Sequence, residues 1–231
     1  MLLHEEKETP RKSTRASLVA SSLLKSILRG ELAPGSKLNI DYLREVYQVS
    51  LSPMREAISR LVSTGLVEFE DQRGYRVAPV SLQLLAEVTR LRSDLESLAL
   101  RYSIERADLE WESNVLGALH RLGRTERDVS SPEAMEVWEA AHWAFHKTLI
   151  EGCGMEMLVE FCQNLQNQSD RYRRIFLKQP AGAADIQDEH NAIANAAVDR
   201  NADLASRLLR AHIERTGNDL ARQISGALPE D

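Results

Sequence analysis

Four histidines carry the most suggestive spacing in this chain. His142 and His146 are four residues apart, so on a helix both imidazoles leave one face, which also carries Met135, Trp138, Phe145 and Leu149. His190 shares a helical face with Ile193, Ala194 and Ala197, and His212 shares one with Ala205, Leu208 and Leu209. A single histidine on such a face is ordinarily a core residue with a local hydrogen-bond partner. Four on three inward faces all need partners where few are available, and one divalent cation satisfies all of them. The expectation is a metal site of His142, His146, His190 and His212; His120 falls outside the pattern.

Two more side chains point the same way. Arg92 lies on an inner face with Val88, Leu95 and Ala99. Two readings stand: an internal ion pair with Glu96, or a guanidinium that clamps a ligand carboxylate inside the fold. Tyr172 falls on a stripe with Leu158, Phe161, Leu165 and Ile175 and offers its hydroxyl to the same pocket, while its arginine neighbours in Arg171-Tyr172-Arg173-Arg174 read as a solvated face. Glu189 adjoins His190 but sits about 100° around the helix from it, which leaves the cluster with no inward carboxylate to act as a general base. The chain contains no HExxH, no nucleophile elbow and no P-loop. A helical metalloenzyme is therefore the weaker reading, and a module that merely binds metal leaves the amino-terminal third unexplained.

That third has chemistry of another kind. Ser50, Ser52 and Arg55 stand at the start of a short helix and Arg60 at its far end, with Arg73 and Arg76 in a hairpin beyond. Hydroxyls and guanidinium groups on a short exposed helix suit the major groove, and arginines on a hairpin suit the neighbouring phosphates or minor groove.

The elements that must position these groups follow from local signals. Residues 1–12 are polar and uncapped and read as a tail. A helix is expected over Arg15–Leu28, capped by Ser13 or Thr14 and stopped at Gly30. A turn at Ala33-Pro34-Gly35-Ser36 leads to a short helix near Asp41–Tyr47. A second short helix is expected from Pro53, with Ser52 as N-cap, ending at Gly65. Leu66–Glu70 and Tyr75–Ala78 flank a short loop and read as a hairpin. From Ser81 the pattern is helical, with six helices expected near 82–107, 109–122, 133–150, 155–178, 184–199 and 202–224. The fold class is mainly α: a winged helix-turn-helix over residues 13–80, then an antiparallel six-helix bundle over 81–231.

Composition agrees. Aromatics are only 5%, and the 43% hydrophobic and 28% charged residues exclude wholesale disorder. No apolar run suits a membrane span, and two cysteines without a CxxC spacing build no disulfide framework, so a cytoplasmic protein is expected. The net charge of −6 is unevenly distributed: residues 11–78 carry 11 basic and 7 acidic side chains, whereas residues 79–231 carry 17 and 25. A small basic segment joined to an acidic one is the asymmetry expected when only one part meets phosphate.

Residues 15–80 also resemble a known family. Leu28-Arg-Gly-Glu-Leu-Ala-Pro-Gly-Ser-Lys-Leu38, Val49-Ser-Leu-Ser-Pro-Met-Arg-Glu-Ala-Ile-Ser-Arg-Leu61, Gly65-Leu-Val67 and Gly74-Tyr-Arg-Val77 are similar to the GntR family of bacterial regulators. The resemblance assigns DNA contacts to Arg55, Ser50 and Ser52. Where the family usually has arginine between the serines, this chain has Leu51, which suits a thymine methyl and not guanine O6 and N7. His142-x-x-Phe-His146, Glu189-His190-x-x-Ile193 and His212-Ile213 resemble the FCD effector domain of the FadR subgroup, which implies a metal held by an aspartate and three histidines. His142 stands at the aspartate position, which shifts the preference towards Zn or Ni over Mg or Mn. The His-x-x-x-His spacing, Cys153-Gly154 and Gly74–Ala78 are similar to a glutarate-responsive branch of that subgroup. One reading helix covers only a few base pairs, so a repressor that binds a palindromic operator as a homodimer is expected. A cation beside Arg92 calls for a small mono- or dicarboxylate effector, and the branch resemblance makes a glutarate-like diacid the first choice.

Overall fold

A computed structural model of the chain describes residues 14–128, 130–176 and 183–227. The expected tail, Ser13 as a cap and the break at 179–182 lie outside the described residues. The chain divides into two compact units at Pro79–Val80.

The first unit opens with α1 (Arg15–Leu28), where Thr14 caps the helix by accepting from the Ser17 amide at 3.1 Å. Gly30 follows at φ +75°, the left-handed conformation that ends a helix with least strain when no Cβ is present. After the turn, β1 (Lys37–Leu38) leads into α2 (Ile40–Val46), capped by Asn39, and then into α3 (Leu51–Ser63). β2 (Val67–Glu70) and β3 (Gly74–Val77) form the hairpin, and β1 pairs antiparallel with β3, giving the sheet order β1-β3-β2. β1 was not expected from the sequence, because two residues carry no periodicity. Its register, Lys37 opposite Arg76 and Leu38 opposite Tyr75, comes from the hairpin it adds to.

The start of α3 differs from the sequence expectation. Ser50, and not Ser52, is the N-cap, and Pro53 sits in the third helical position. The first turn's amides have no partner within the helix, so proline is tolerated there as well as at the first position. Met54, Ala57, Ile58 and Leu61 turn inward from α3 against Leu23, Ile27, Leu43, Leu66 and Val77.

The second unit contains α4 (Leu82–Arg106), α5 (Leu109–Gly123), α6 (Pro132–Glu151), α7 (Glu156–Phe176), α8 (Ala183–Val198) and α9 (Ala202–Ala227). Their ends match the expected six helices to within three residues, close to the ordinary ambiguity of helix termini. α4 and α9 share the longest packing seam. Gly217 permits their close approach: a Cβ there would come within 3.0 Å of the Thr89 Cβ and nearer still to its Oγ1 and Cγ2. The main core joins Ala99, Leu100 and Ile104 of α4 to Trp111, Val115, Trp138, Phe145, Leu149, Ile193, Leu209 and Ile213. A smaller cluster of Leu85, Tyr172, Leu220 and Ile224 lies apart from it. No helix among the described residues is long and apolar enough to cross a membrane.

Candidate metal centre and nucleic-acid interface

Helix α3 presents its outer side as expected. Ser50, Ser52 and Arg55 are exposed, and the Ser50 side chain makes no capping hydrogen bond. Arg55 has no ion-pair or hydrogen-bond partner among the described residues, so its guanidinium is available to an incoming ligand. Arg60 is held within the unit, donating to Glu56 at 2.6 Å and to the Ser17 hydroxyl at 3.0 Å. On the hairpin, Arg76 pairs with Glu70 at 2.9 Å, while Arg73 is 3.7 Å from Glu70 with its side chain 78% exposed. Arg73 is thus the freer wing cation.

In the second unit the four histidines meet. His142 and His146 come from α6, His190 from α8 and His212 from α9; all are buried, and their ligand atoms lie within 4.8 Å of one another. His142 stacks on Trp138, with ring centroids 4.8 Å apart. Burial holds all four imidazoles below their ordinary value, so they are neutral at physiological pH, and His146 falls to about 4. The nearby Arg173 charge depresses His142 further. His142 Nδ1, His190 Nε2 and both ring nitrogens of His146 are buried without a hydrogen-bond partner among the described residues. Neutral, converging, unpaired imidazole nitrogens are the donor set that zinc or nickel takes. These residues fit a divalent metal.

The expectation that the cluster has no carboxylate is overturned. Glu189 does diverge from His190 on its own helix, but it reaches across to α9, where its Oε2 lies 2.7 Å from His212 Nδ1. Arg215 grips the same carboxylate through Nε and Nη2, both at 2.6 Å. Burial raises the Glu189 carboxyl, but His212 and Arg215 outweigh it and hold it at about 2. Glu96 approaches His146 Nδ1 at 3.6 Å. A periodicity argument places a residue on its own helix and cannot say which neighbouring helix a long side chain will touch.

Arg92 lines the cavity beside the histidines and also makes the internal ion pair. Its Nε donates to Glu96 at 2.7 Å and its Nη1 to the Ser169 hydroxyl at 2.9 Å, both groups being buried. Burial raises the Glu96 carboxyl, but Arg92 and His146 hold it at about 2. Tyr172 is placed elsewhere. Its hydroxyl accepts from the Ser81 amide and donates to the Ser81 carbonyl, both at 3.1 Å, and it does not line the cavity. Phe161, on the stripe that was expected to point Tyr172 inward, is exposed.

Three cavity arginines are not foreseen from the sequence. Arg173, expected on a solvated face, is buried and bonded to Glu139 and Asp170. Arg215 is bonded to Glu189 and Asp219, and Arg127 lies over the Trp138 ring. In sequence, Asp170–Arg173 and Arg215–Asp219 look like ordinary surface pairs at helical spacing, so no local signal marks them. With Arg92, Trp138, His142, Ile186, His212, Ile213, Thr216 and Asp219, these arginines enclose a cavity of about 30 Å³. That is room for about one water, so a larger ligand requires side chains in the wall to move outward.

Comparison with known proteins places both units. Residues 15–77 match the family of bacterial regulatory proteins called the gntR family, and residues 87–215 match the FCD domain. The chain is 38% identical over 190 residues to the HTH-type transcriptional regulator BphR of Paraburkholderia xenovorans strain LB400, covering 81% of this chain and 78% of that protein. It is 33% identical over 195 residues to the HTH-type transcriptional repressor GlaR of Escherichia coli K12, covering 83% and 89%. Among solved structures, E. coli McbR/YncC superposes with a TM-score of 0.78 over 92% of this chain and 100% of that one, at 19% identity. A GntR regulator from Rhodococcus sp. RHA1 superposes with a TM-score of 0.70 over 93% and 99%, at 23% identity. The two structural likenesses speak to the fold; the sequence relatives are transcriptional regulators and not enzymes.

Proposed function

The chain belongs to the GntR family of DNA-binding transcriptional regulators and carries an FCD domain, and on that premise we propose a metal-dependent, carboxylate-responsive repressor that binds a palindromic operator as a homodimer. In this reading residues 13–80 read DNA and residues 81–231 bind effector and mediate dimerisation, in the cytoplasm where the chromosome lies. Arg55, Ser50 and Ser52 meet base edges or phosphates in the major groove, Arg60 supports the far end of the helix, and Arg73 and Arg76 meet the backbone beside it. One reading helix covers only a few base pairs, and two-fold symmetry doubles the contacts.

The observation that carries the effector reading is the convergence of four buried, neutral histidines, two of which, His142 and His212, line a cavity with four arginines. His142, His146, His190 and His212 would hold zinc or nickel. Such a cation supplies a positive centre that accepts a carboxylate oxygen. Glu189 would fix the His212 ring through Nδ1, leaving Nε2 free for the ion. Charge attraction is least screened in this buried setting, so a small carboxylate is the complementary ligand, and a glutarate-like diacid is the first to test. Arg92 contributes to the wall with its charge already matched by Glu96. An effector that binds two arrangements of the protein with different affinity changes operator occupancy, and one that does not leaves it unchanged.

Two measurements test the reading. Protein refolded with zinc or nickel should hold one equivalent per chain by elemental analysis, and His190→Ala should hold none; less than one equivalent in the wild type refutes the metal site. Operator footprinting should show a symmetric protected region whose occupancy changes on addition of glutarate. An asymmetric or effector-indifferent footprint argues against the regulator as described.

A further inference from the structure

Three of the four cavity arginines are already matched by carboxylates of the chain itself. Arg92 is held by Glu96, Arg173 by Glu139 and Asp170, and Arg215 by Glu189 and Asp219. Arg127 is the exception. It comes from the segment between α5 and α6, and its Nε and Nη1 are buried with no hydrogen-bond partner among the described residues. Leaving buried charged donors unmet is among the more costly arrangements in a fold. The surroundings are also short of negative charge: burial, Arg173 and Arg215 all push the Arg127 pKa down, with Glu139 opposing.

The geometry shows what would complete it. The guanidinium carbon lies over the Trp138 ring, 4.8 Å from its centroid. A carboxylate binds arginine through the edge, in the guanidinium plane, and such an edge contact is compatible with a stacked face. Trp138 in turn stacks on His142 at 4.8 Å, which puts the guanidinium carbon no more than about 10 Å from the His142 ring. The indole is therefore a shared wall between the unmet arginine edge and the histidine cluster.

We propose that Arg127 is the second anion anchor of this cavity, and that the effector is a short dicarboxylate: one carboxylate meets the histidine-bound cation, and the other pairs with the Arg127 guanidinium. The inference rests on the carboxylate-effector reading above and adds the residue that meets the second carboxylate. A monocarboxylate leaves the Arg127 edge unmet; a diacid of suitable length satisfies both ends.

Calorimetry on the full-length protein refolded with zinc tests it, using glutarate and pentanoate, which share a five-carbon skeleton and differ by one carboxylate. The wild type should prefer glutarate by roughly 10- to 100-fold, the scale of a charge-assisted hydrogen bond. Arg127→Gln should lose that preference, with glutarate affinity falling far more than pentanoate affinity, since only glutarate has a second carboxylate for the guanidinium to hold. Arg127→Lys keeps the charge but lacks the fork and should fall between them. A preference retained in Arg127→Gln overturns the proposal, as does an equal loss for both acids, which would mark Arg127 as structural support for Trp138. A wild type that binds neither acid removes the carboxylate reading along with this inference. A wild type that binds both equally removes this inference alone.

Discussion

Replacing Arg92 by methionine tests how the cavity wall is held together. Arg92 and Glu96 are both nearly inaccessible, at 3% and 2% exposure. The guanidinium donates to the two carboxylate oxygens at 2.7 and 3.4 Å and to Ser169 at 2.9 Å. Methionine keeps an apolar stem of similar reach and removes the charge, so Glu96 is left buried with His146 at 3.6 Å. Removing one member of a buried pair costs about 3–5 kcal/mol. Linkage gives a similar size. The Glu96 carboxyl stands at about 2 instead of 4.5, and at about 1.4 kcal/mol per unit this is on the order of 3 kcal/mol. Because that pKa is depressed on folding, the contribution is complete above pH 4.5 and is lost as pH falls through about 2. Arg92→Met/Glu96→Leu removes both charges and should recover to within about 1–2 kcal/mol of the wild type. Urea denaturation of the metal-free protein at pH 7 measures this. All three tryptophans lie in the helical unit, so their fluorescence follows that unit alone. A coupling energy below about 1 kcal/mol between the two substitutions refutes the argument.

Further outcomes follow from the same structure. Arg55→Ala should weaken operator binding by ~1–3 kcal/mol and relax preference at one base pair, whereas Arg73→Ala should weaken all sequences alike and flatten the salt dependence; titrations at several salt concentrations distinguish them. Gly217→Ala should destabilise the helical unit by about 1–3 kcal/mol despite alanine's better helix propensity, because the new methyl meets Thr89, and Thr89→Ala should relieve it. The metal-free protein should lose stability between pH 6.5 and about 4. Over that range the unfolded chain protonates His146 and the folded chain does not, at up to about 1.4 kcal/mol per pH unit for each such histidine. Glu96 and Glu189, held at about 2, add to the loss as the unfolded carboxylates protonate near pH 4.5. Asp170, pushed up to about 6 by burial, offsets part of it. Equal urea midpoints at pH 7 and pH 5 would contradict it.

Much of this protein is decided locally, and that part is legible in the order of its residues. Helix caps, glycine stops and the 3.6-residue period are properties of neighbouring residues, so the winged helix-turn-helix and the six bundle helices follow from them. The four histidines assemble on paper for the same reason, since each announces an inward face through the apolar residues beside it. Interactions between residues distant in the chain are not legible in this way. β1 exists because a hairpin far along the chain offers it an edge, Lys37 opposite Arg76. Tyr172 lies on the inner side of its helix yet bonds the backbone of Ser81, and Glu189 turns from one histidine only to meet another on α9. Arg173 reads as a surface charge because nothing in its own turn reveals Glu139 on the helix opposite. Local sequence sets which face of a helix a side chain leaves from. Only the packing of helices against one another decides which buried charge it meets there, and at Arg127 whether it meets one at all.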